Sequence, residues 1–133
     1  KTEQHSFYNK GEKRMTSLEQ AKTIVKVLDK KKGKDIKLVE IKNLSSLGDY
    51  FVIASATSTT QVKSLADEVE EEMTKLGFEP NRVEGRQSAQ WILMDYYDVM
   101  VHVFLEESRN FYNLERLWCD APQVDISDIL TKN

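Results

Sequence analysis

Cysteine is almost missing from this chain: Cys119 is the single one in 133 residues. That excludes an internal disulfide and leaves no cysteine pair for a zinc knuckle, and a reducing cytosol suits such a chain. Glycine is scarce, with five residues falling singly at 11, 33, 48, 77 and 85, so neither a G-x-x-x-x-G-K-[ST] phosphate loop nor a G-x-G-x-x-G turn is present. No G-x-S-x-G elbow or H-E-x-x-H helix occurs. His102 is the one histidine after residue 14, which excludes a two-histidine metal site and a second imidazole for a triad. Long apolar runs are also lacking. The stretches Tyr50 to Ala54 and Val99 to Leu105 fall far short of the ~20 residues that span a bilayer, so no membrane partner is expected.

What the chain does have is an ordinary globular balance, 40% hydrophobic and 31% charged, in a length that suits one domain. Residues 1–14 are polar and lack the apolar centre of a secretory signal, so they are set aside as an upstream remnant or a disordered arm. A fragment of an organelle-targeting sequence is the other reading, and the domain is placed at 15–133. Taking the four basic and two acidic residues of 1–14 from totals of 19 and 22 leaves 15 and 20, a net charge of −5. Gripping nucleic acid by its phosphates needs clustered Lys and Arg on a basic body, so direct nucleic-acid specificity is not expected.

Helical and strand periodicities alternate along the domain. Thr16-Ser17-Leu18-Glu19 has capping-box spacing, and Leu18, Ala21, Val25 and Leu28 follow at helical intervals. Lys30, Lys31 and Lys32 suit the carbonyl end of that helix better than an RNA patch, and Gly33 is expected to supply a left-handed stop. Asp35 to Ile41 predicts a first strand, and the unbroken apolar run Tyr50 to Ala56 predicts a strand covered on both faces. Ser58-Thr59-Thr60-Gln61 opens a second helix with the stripe Val62, Leu65, Ala66, Val69, Met73 and Leu76, ended by Gly77. Its other side, Asp67 to Glu72, reads as a solvated acidic face. Arg82 to Gly85 is a short strand, Ala89 to Asp95 and Val99 to Leu105 form an antiparallel hairpin, and Glu106 to Trp118 is a third helix with Phe111, Leu114, Leu117 and Trp118 inward. The tail from Val124 to Leu130 adds either an edge strand or a helical turn. The fold class is therefore α/β, a mixed sheet of about five strands with helices packed on it.

The hairpin carries the most information. Pairing Asp95 with Asp98 across Tyr96-Tyr97 places Trp91 opposite His102 and Leu93 opposite Met100 on one face. Gln90, Ile92, Met94, Val99, Val101 and Val103 share the other face, a mostly apolar set that should lie against the helices. The first set mixes aromatic, aliphatic and acidic groups as a protein-binding patch does, or it is a second buried layer whose carboxylates end the strands. His102 beside Asp95 or Asp98 could act as an acid/base pair, but without a neighbouring nucleophile or metal cluster a hydrogen-bonded strand histidine is the better reading.

Val83-Glu84-Gly85, the run from Ser88-Ala89-Gln90-Trp91 through Val103-Phe104, and Arg109-Asn110-Phe111-Tyr112-Asn113-Leu114 to Trp118 resemble the Iojap family of ribosomal silencing factors. The similarity extends over nearly all of Met15 to Pro122, the Asp49-Tyr50-Phe51-Val52-Ile53 strand included. It implies a nucleotidyltransferase-like topology and docking on the large ribosomal subunit through ribosomal protein fourteen. Subunit joining would then be blocked sterically and translation lowered when nutrients are scarce. It also implies an interface on Trp91, Leu93, Asp95, Tyr96, Asp98, Met100 and His102, with Arg109 and Tyr112 at its margin, no cofactor, and a bacterial cytoplasm, mitochondrion or chloroplast as compartment. Where the family commonly shows Asp-Tyr-Gly-Asp, this chain has Asp95-Tyr96-Tyr97-Asp98, and a positive φ at Tyr97 would be costly. The contrasting reading is a nucleotidyltransferase that holds magnesium with paired carboxylates. It needs a Gly-Ser loop and an Asp-x-Asp, of which Ser46-Leu47-Gly48-Asp49 is a faint echo. A homodimer joined by sheet edges is a third class and is compatible with ribosome docking.

Overall fold

The computed structural model describes residues 15–44, 46, 48–112, 116 and 120–131, with the backbone alone at 110–112. Helix α1 spans Ser17–Lys30. The Thr16 side chain accepts the Glu19 N–H at 3.1 Å while the Glu19 carboxylate accepts the Thr16 N–H at 2.9 Å, so both ends of the capping box close. The helix stops one residue earlier than the glycine suggests. Lys32, not Gly33, takes the positive φ of 69°. The N–H groups of Lys32 and Gly33 then return to the carbonyls of Asp29 and Leu28 at 2.9 and 2.8 Å. Gly33 serves close approach instead, since a Cβ there would sit 3.1 Å from the Leu28 carbonyl oxygen.

Strands β1 (Lys34–Glu40) and β2 (Tyr50–Ala56) follow, then α2 (Thr59–Lys75), β3 (Arg82–Glu84), β4 (Trp91–Asp95), β5 (Val99–Leu105) and α3 (Glu106–Tyr112). The rest of the predicted third helix, with Leu114, Leu117 and Trp118, lies outside the described residues, as do the side chain of Phe111 and residues 1–14. Ser58 caps α2 by accepting the Gln61 N–H at 3.1 Å. The Gln61 side chain passes over Ser58 and takes the Thr57 N–H at 3.0 Å instead, so the box is half formed. Gly77, at φ 94°, ends the helix as expected.

The sheet order is β1-β2-β5-β4-β3, with β2 and β5 parallel and every other pair antiparallel. All seven residues of β2 are buried, because both neighbours and both faces of this strand are covered. Helices α1 and α2 pack on one face, where Ala21, Ile24, Val25 and Leu28 and the α2 stripe from Val62 to Met73 meet Val52, Ala54, Ile92, Met94, Val101 and Val103. A smaller cluster of Val39, Ile41, Phe51, Ile53, Met100, Phe104 and Ala121 lies on the opposite face. The tail forms no strand over Val124 to Leu130 but meets β1 through an isolated bridge between Val39 and Gln123, and a turn follows. Glu40 and Val124 exchange bonds with Pro122 and Leu38 at 2.9 and 2.8 Å along the β1 edge, and a turn at Ile126–Leu130 then packs on the helix-side core. That contact covers the Leu38 to Glu40 part of the β1 edge.

Candidate functional site

The β4–β5 hairpin is built differently at its tip from the sequence-based expectation. The pairs are Trp91 with Phe104, Leu93 with His102 and Asp95 with Met100, two residues away from the predicted register. Tyr96 explains the shift. It follows directly on β4, its side chain belongs to the helix-side core and its N–H donates to the Val99 carbonyl at 2.9 Å, so the loop is Tyr97-Asp98. A slip of two conserves side-chain faces, and Trp91, Leu93, Asp95, Met100 and His102 still share one side. Tyr97 takes φ 72°. Its N–H donates to Asp95 Oδ1 at 2.8 Å, and the Asp98 N–H reaches the Tyr96 carbonyl at 2.9 Å, a three-residue turn.

Around His102 the face is aromatic. The Trp91 indole N–H donates to His102 Nδ1 at 3.1 Å. Phe51 meets the imidazole edge-on at a centroid distance of 4.5 Å, and Trp91 stacks on Phe104 at 5.0 Å. Since Nδ1 accepts, the proton of the neutral ring sits on Nε2, which is buried without a hydrogen-bond partner. Burial pushes the imidazole pKa down to about 3. The ring is therefore neutral at physiological pH, far from the value a general base needs there, and its bond runs to Trp91 rather than to Asp95 or Asp98.

The other residues assigned by resemblance separate into distinct places. Trp91 and Leu93 are half-buried, packed against the smaller cluster, while Met100 lies within it. Asp95 is nearly buried and is held by Asn81 Nδ2 at 3.3 Å and Arg82 Nε at 3.5 Å. Asp98 is buried at the turn, where its carbonyl accepts the N–H groups of Asp49 and Tyr50 at 2.7 and 3.1 Å. Tyr96 points to the other side of the sheet, and burial raises its phenol above the usual value. Arg109 is buried where α3 meets the sheet, donating to the Asp35 carbonyl at 2.9 Å and Ser55 Oγ at 2.7 Å. The side chain of Tyr112 lies outside the described residues.

Three residues of this region escaped sequence reasoning. Phe51 and Phe104 frame His102 and Trp91. Alternation along β2 and β5 puts both on the correct side, but only the parallel pairing of those strands brings Phe51 beside the hairpin. Tyr97 reads in the sequence as a turn residue alone. Among the described residues no group of three or more His, Cys, Asp or Glu side chains is placed to hold a metal ion, and no helix is long and apolar enough to cross a membrane.

The fold and this face define a mixed α/β domain that presents an aromatic hairpin surface and no gathered ligand set among its described residues. Comparison with known proteins then gives the family. The family described as "Ribosomal silencing factor during starvation" matches residues 14–133, and the chain belongs to it. It is 36% identical over 117 residues to a protein of Halalkalibacterium halodurans named ribosomal silencing factor RsfS, covering 88% of this chain and all of that one. The Bacillus subtilis protein of the same name is 38% identical over 79% of this chain and 92% of its own. A crystal structure from Chromobacterium violaceum superposes with a TM-score of 0.77 at 36% identity, covering 79% of this chain and 88% of that one. More distant relatives carry the names protein Iojap, chloroplastic, in Arabidopsis thaliana, and mitochondrial assembly of ribosomal large subunit protein 1, in mouse. The bacterial relatives are thus named for silencing of ribosomes, and the mouse protein for assembly of the large ribosomal subunit.

Proposed function

We propose that the chain docks on the large ribosomal subunit through ribosomal protein fourteen, using the Trp91 and Leu93 side of the hairpin, and that the docked domain sterically blocks joining of the small subunit. It acts by occupying a surface and not by turning over a substrate, and it works wherever its ribosome does, in a bacterial cytoplasm or an organelle. The observation that carries this reading is the state of Trp91. The indole N–H is already satisfied by His102 while the residue remains partly exposed, so an apolar partner can cover it without orphaning a donor. Charge supports a protein partner. A body of net charge −5 is repelled by RNA phosphates and attracted to a basic ribosomal protein. Mixing purified subunits with the protein should lower the joined-ribosome peak on a sucrose gradient, and unchanged joining at saturating protein would remove the proposal.

A further inference from the structure

Charge is unevenly distributed along the chain. Residues 26–37 hold six lysines, at 26, 30, 31, 32, 34 and 37, against Asp29 and Asp35, a net +4. Since 15–133 as a whole carries −5, the rest of it carries −9. Capping of α1 explains Lys30, Lys31 and Lys32, which stand at its carbonyl end. It does not explain Lys34 and Lys37, which lie beyond the helix on β1. Ion pairing does not explain them either. Among the described residues Lys31 meets Glu68 at 3.8 Å, whereas Lys30, Lys32, Lys34 and Lys37 enter no ion pair. Like charges gathered in this way repel one another, so the arrangement favours an anionic neighbour.

The fold turns this run into a concave surface. Lys32, Lys34 and Lys37 line a groove of about 510 Å³ together with Asp29, Asp35 and Thr131. One of its two carboxylates is already engaged, because Asp29 accepts the Thr131 N–H at 3.1 Å and the Thr131 hydroxyl at 3.3 Å. The positive end of α2 adjoins the groove: Gln61 donates to the Lys32 carbonyl at 3.4 Å, and the first turn of α2 holds no acidic residue. Exposed charges more than ~8 Å away are largely screened at physiological ionic strength, so the acidic remainder of the domain does not cancel this end. The groove also reaches the proposed docking face. Lys37 pairs with Ile53, Ile53 with His102 and His102 with Leu93, which puts Lys37 and Leu93 on one side of the sheet, about 14 Å apart at the usual strand spacing. A ribosomal protein seated on Leu93 therefore brings the RNA around it to the lysines.

We infer that the groove lined by Lys32, Lys34 and Lys37 holds the sugar–phosphate backbone of ribosomal RNA beside the docked protein, gripping phosphates without reading sequence. This rests on the docking reading above. The test compares the wild-type chain with a triple variant, Lys32→Gln, Lys34→Gln and Lys37→Gln, and with the same three positions changed to Arg. Affinity is measured at several salt concentrations for purified large subunits and for isolated ribosomal protein fourteen. The glutamine variant should bind subunits about tenfold more weakly, with a slope of log affinity against log salt that is shallower by ~2–3. Its affinity for the isolated protein should be unchanged, and the arginine variant should restore both subunit affinity and slope. Should the triple variant melt low, Lys34→Gln alone carries the test with a slope change of ~1. Unchanged subunit binding overturns the inference. Equal weakening on the isolated protein, or weakening without a change of slope, assigns the lysines to an acidic protein surface and overturns it as well. Failure of the docking reading shows separately, as a wild-type chain that binds neither target, and this contact then falls with it.

Discussion

The two faces of the sheet are made from the same strands and yet do different things. On the helix side, Ile92, Met94, Val101 and Val103 are fully buried under α1 and α2, as an uninterrupted apolar layer. On the other side the alternate residues of the same strands are Trp91, Leu93, Asp95, Met100 and His102, a mixture in which Asp95 and His102 Nδ1 have partners, His102 Nε2 has none, and Trp91 and Leu93 remain partly exposed. The helix-side face holds the domain together, and the opposite face has a stable floor with an incompletely covered margin. That asymmetry is what a docking domain requires, because a partner can cover the margin without disturbing the core.

The sharpest way to break this comparison is to truncate one residue on each face. Ile92→Ala empties a fully buried site and should cost about 2–5 kcal/mol of stability while leaving the affinity of folded molecules unchanged. Trp91→Ala should weaken large-subunit binding at least ~30-fold, equivalent to about 2 kcal/mol, with a smaller loss of stability because the residue is only partly buried. Denaturant melts and subunit co-sedimentation on both variants check the pair. Should Trp91→Ala melt like Ile92→Ala and still bind at full strength once folded, the two faces would be one core and the docking surface would lie elsewhere.

The intermediate effect belongs to His102, the hinge between those roles. Its pKa drops from 6.5 in the unfolded chain to about 3 in the folded one, because burial disfavours the charged ring. A depressed histidine pKa means that the unfolded state binds the proton first. The stability it preserves is complete above pH 6.5 and is lost progressively as pH falls toward 3, at up to ~1.4 kcal/mol per unit. The first part of that loss falls between pH 6.5 and 5. His102→Leu should flatten the melting-temperature profile there, and an equally steep profile in that variant would show that the imidazole is not the group responsible.

Much of the helix-side layer was legible in the residues themselves. Thr16 and Glu19 announce a capping box, the α2 stripe from Val62 to Met73 repeats at helical intervals, and the unbroken run Tyr50 to Ala56 is the buried strand it suggests. Period-two alternation also sorted the hairpin correctly by face, since a register error of two leaves faces unchanged. What local pattern could not deliver depends on contacts between distant segments. Tyr96 reads as a turn residue until the helix layer that buries it is in place, and Phe51 joins the hairpin face only through the parallel pairing of β2 with β5. Lys32 takes the left-handed position because Gly33 is needed against Leu28 and Ala54, an exchange invisible in the order of the residues.

The smallest expected effect separates charge from packing at the margin of the docking face. Arg82 lies on β3, half exposed, with its Nε 3.4 Å from Glu84 and 3.5 Å from Asp95. An ion pair with so much solvent access contributes at most about 1 kcal/mol, so Arg82→Ala should barely move the melting temperature. Asp95 keeps its bonds from Asn81 and the Tyr97 N–H in that variant, and the turn should hold. The local charge, however, becomes more negative by one unit beside the surface proposed to meet a basic protein. Association with ribosomal protein fourteen should therefore quicken at low ionic strength, by a factor that shrinks as salt rises past ~0.15 M, while dissociation stays nearly constant. Stopped-flow association at two salt concentrations reads this directly. A slower association in Arg82→Ala would mean that the partner presents acidic groups to this edge, and the electrostatic half of the docking proposal would have to be reversed.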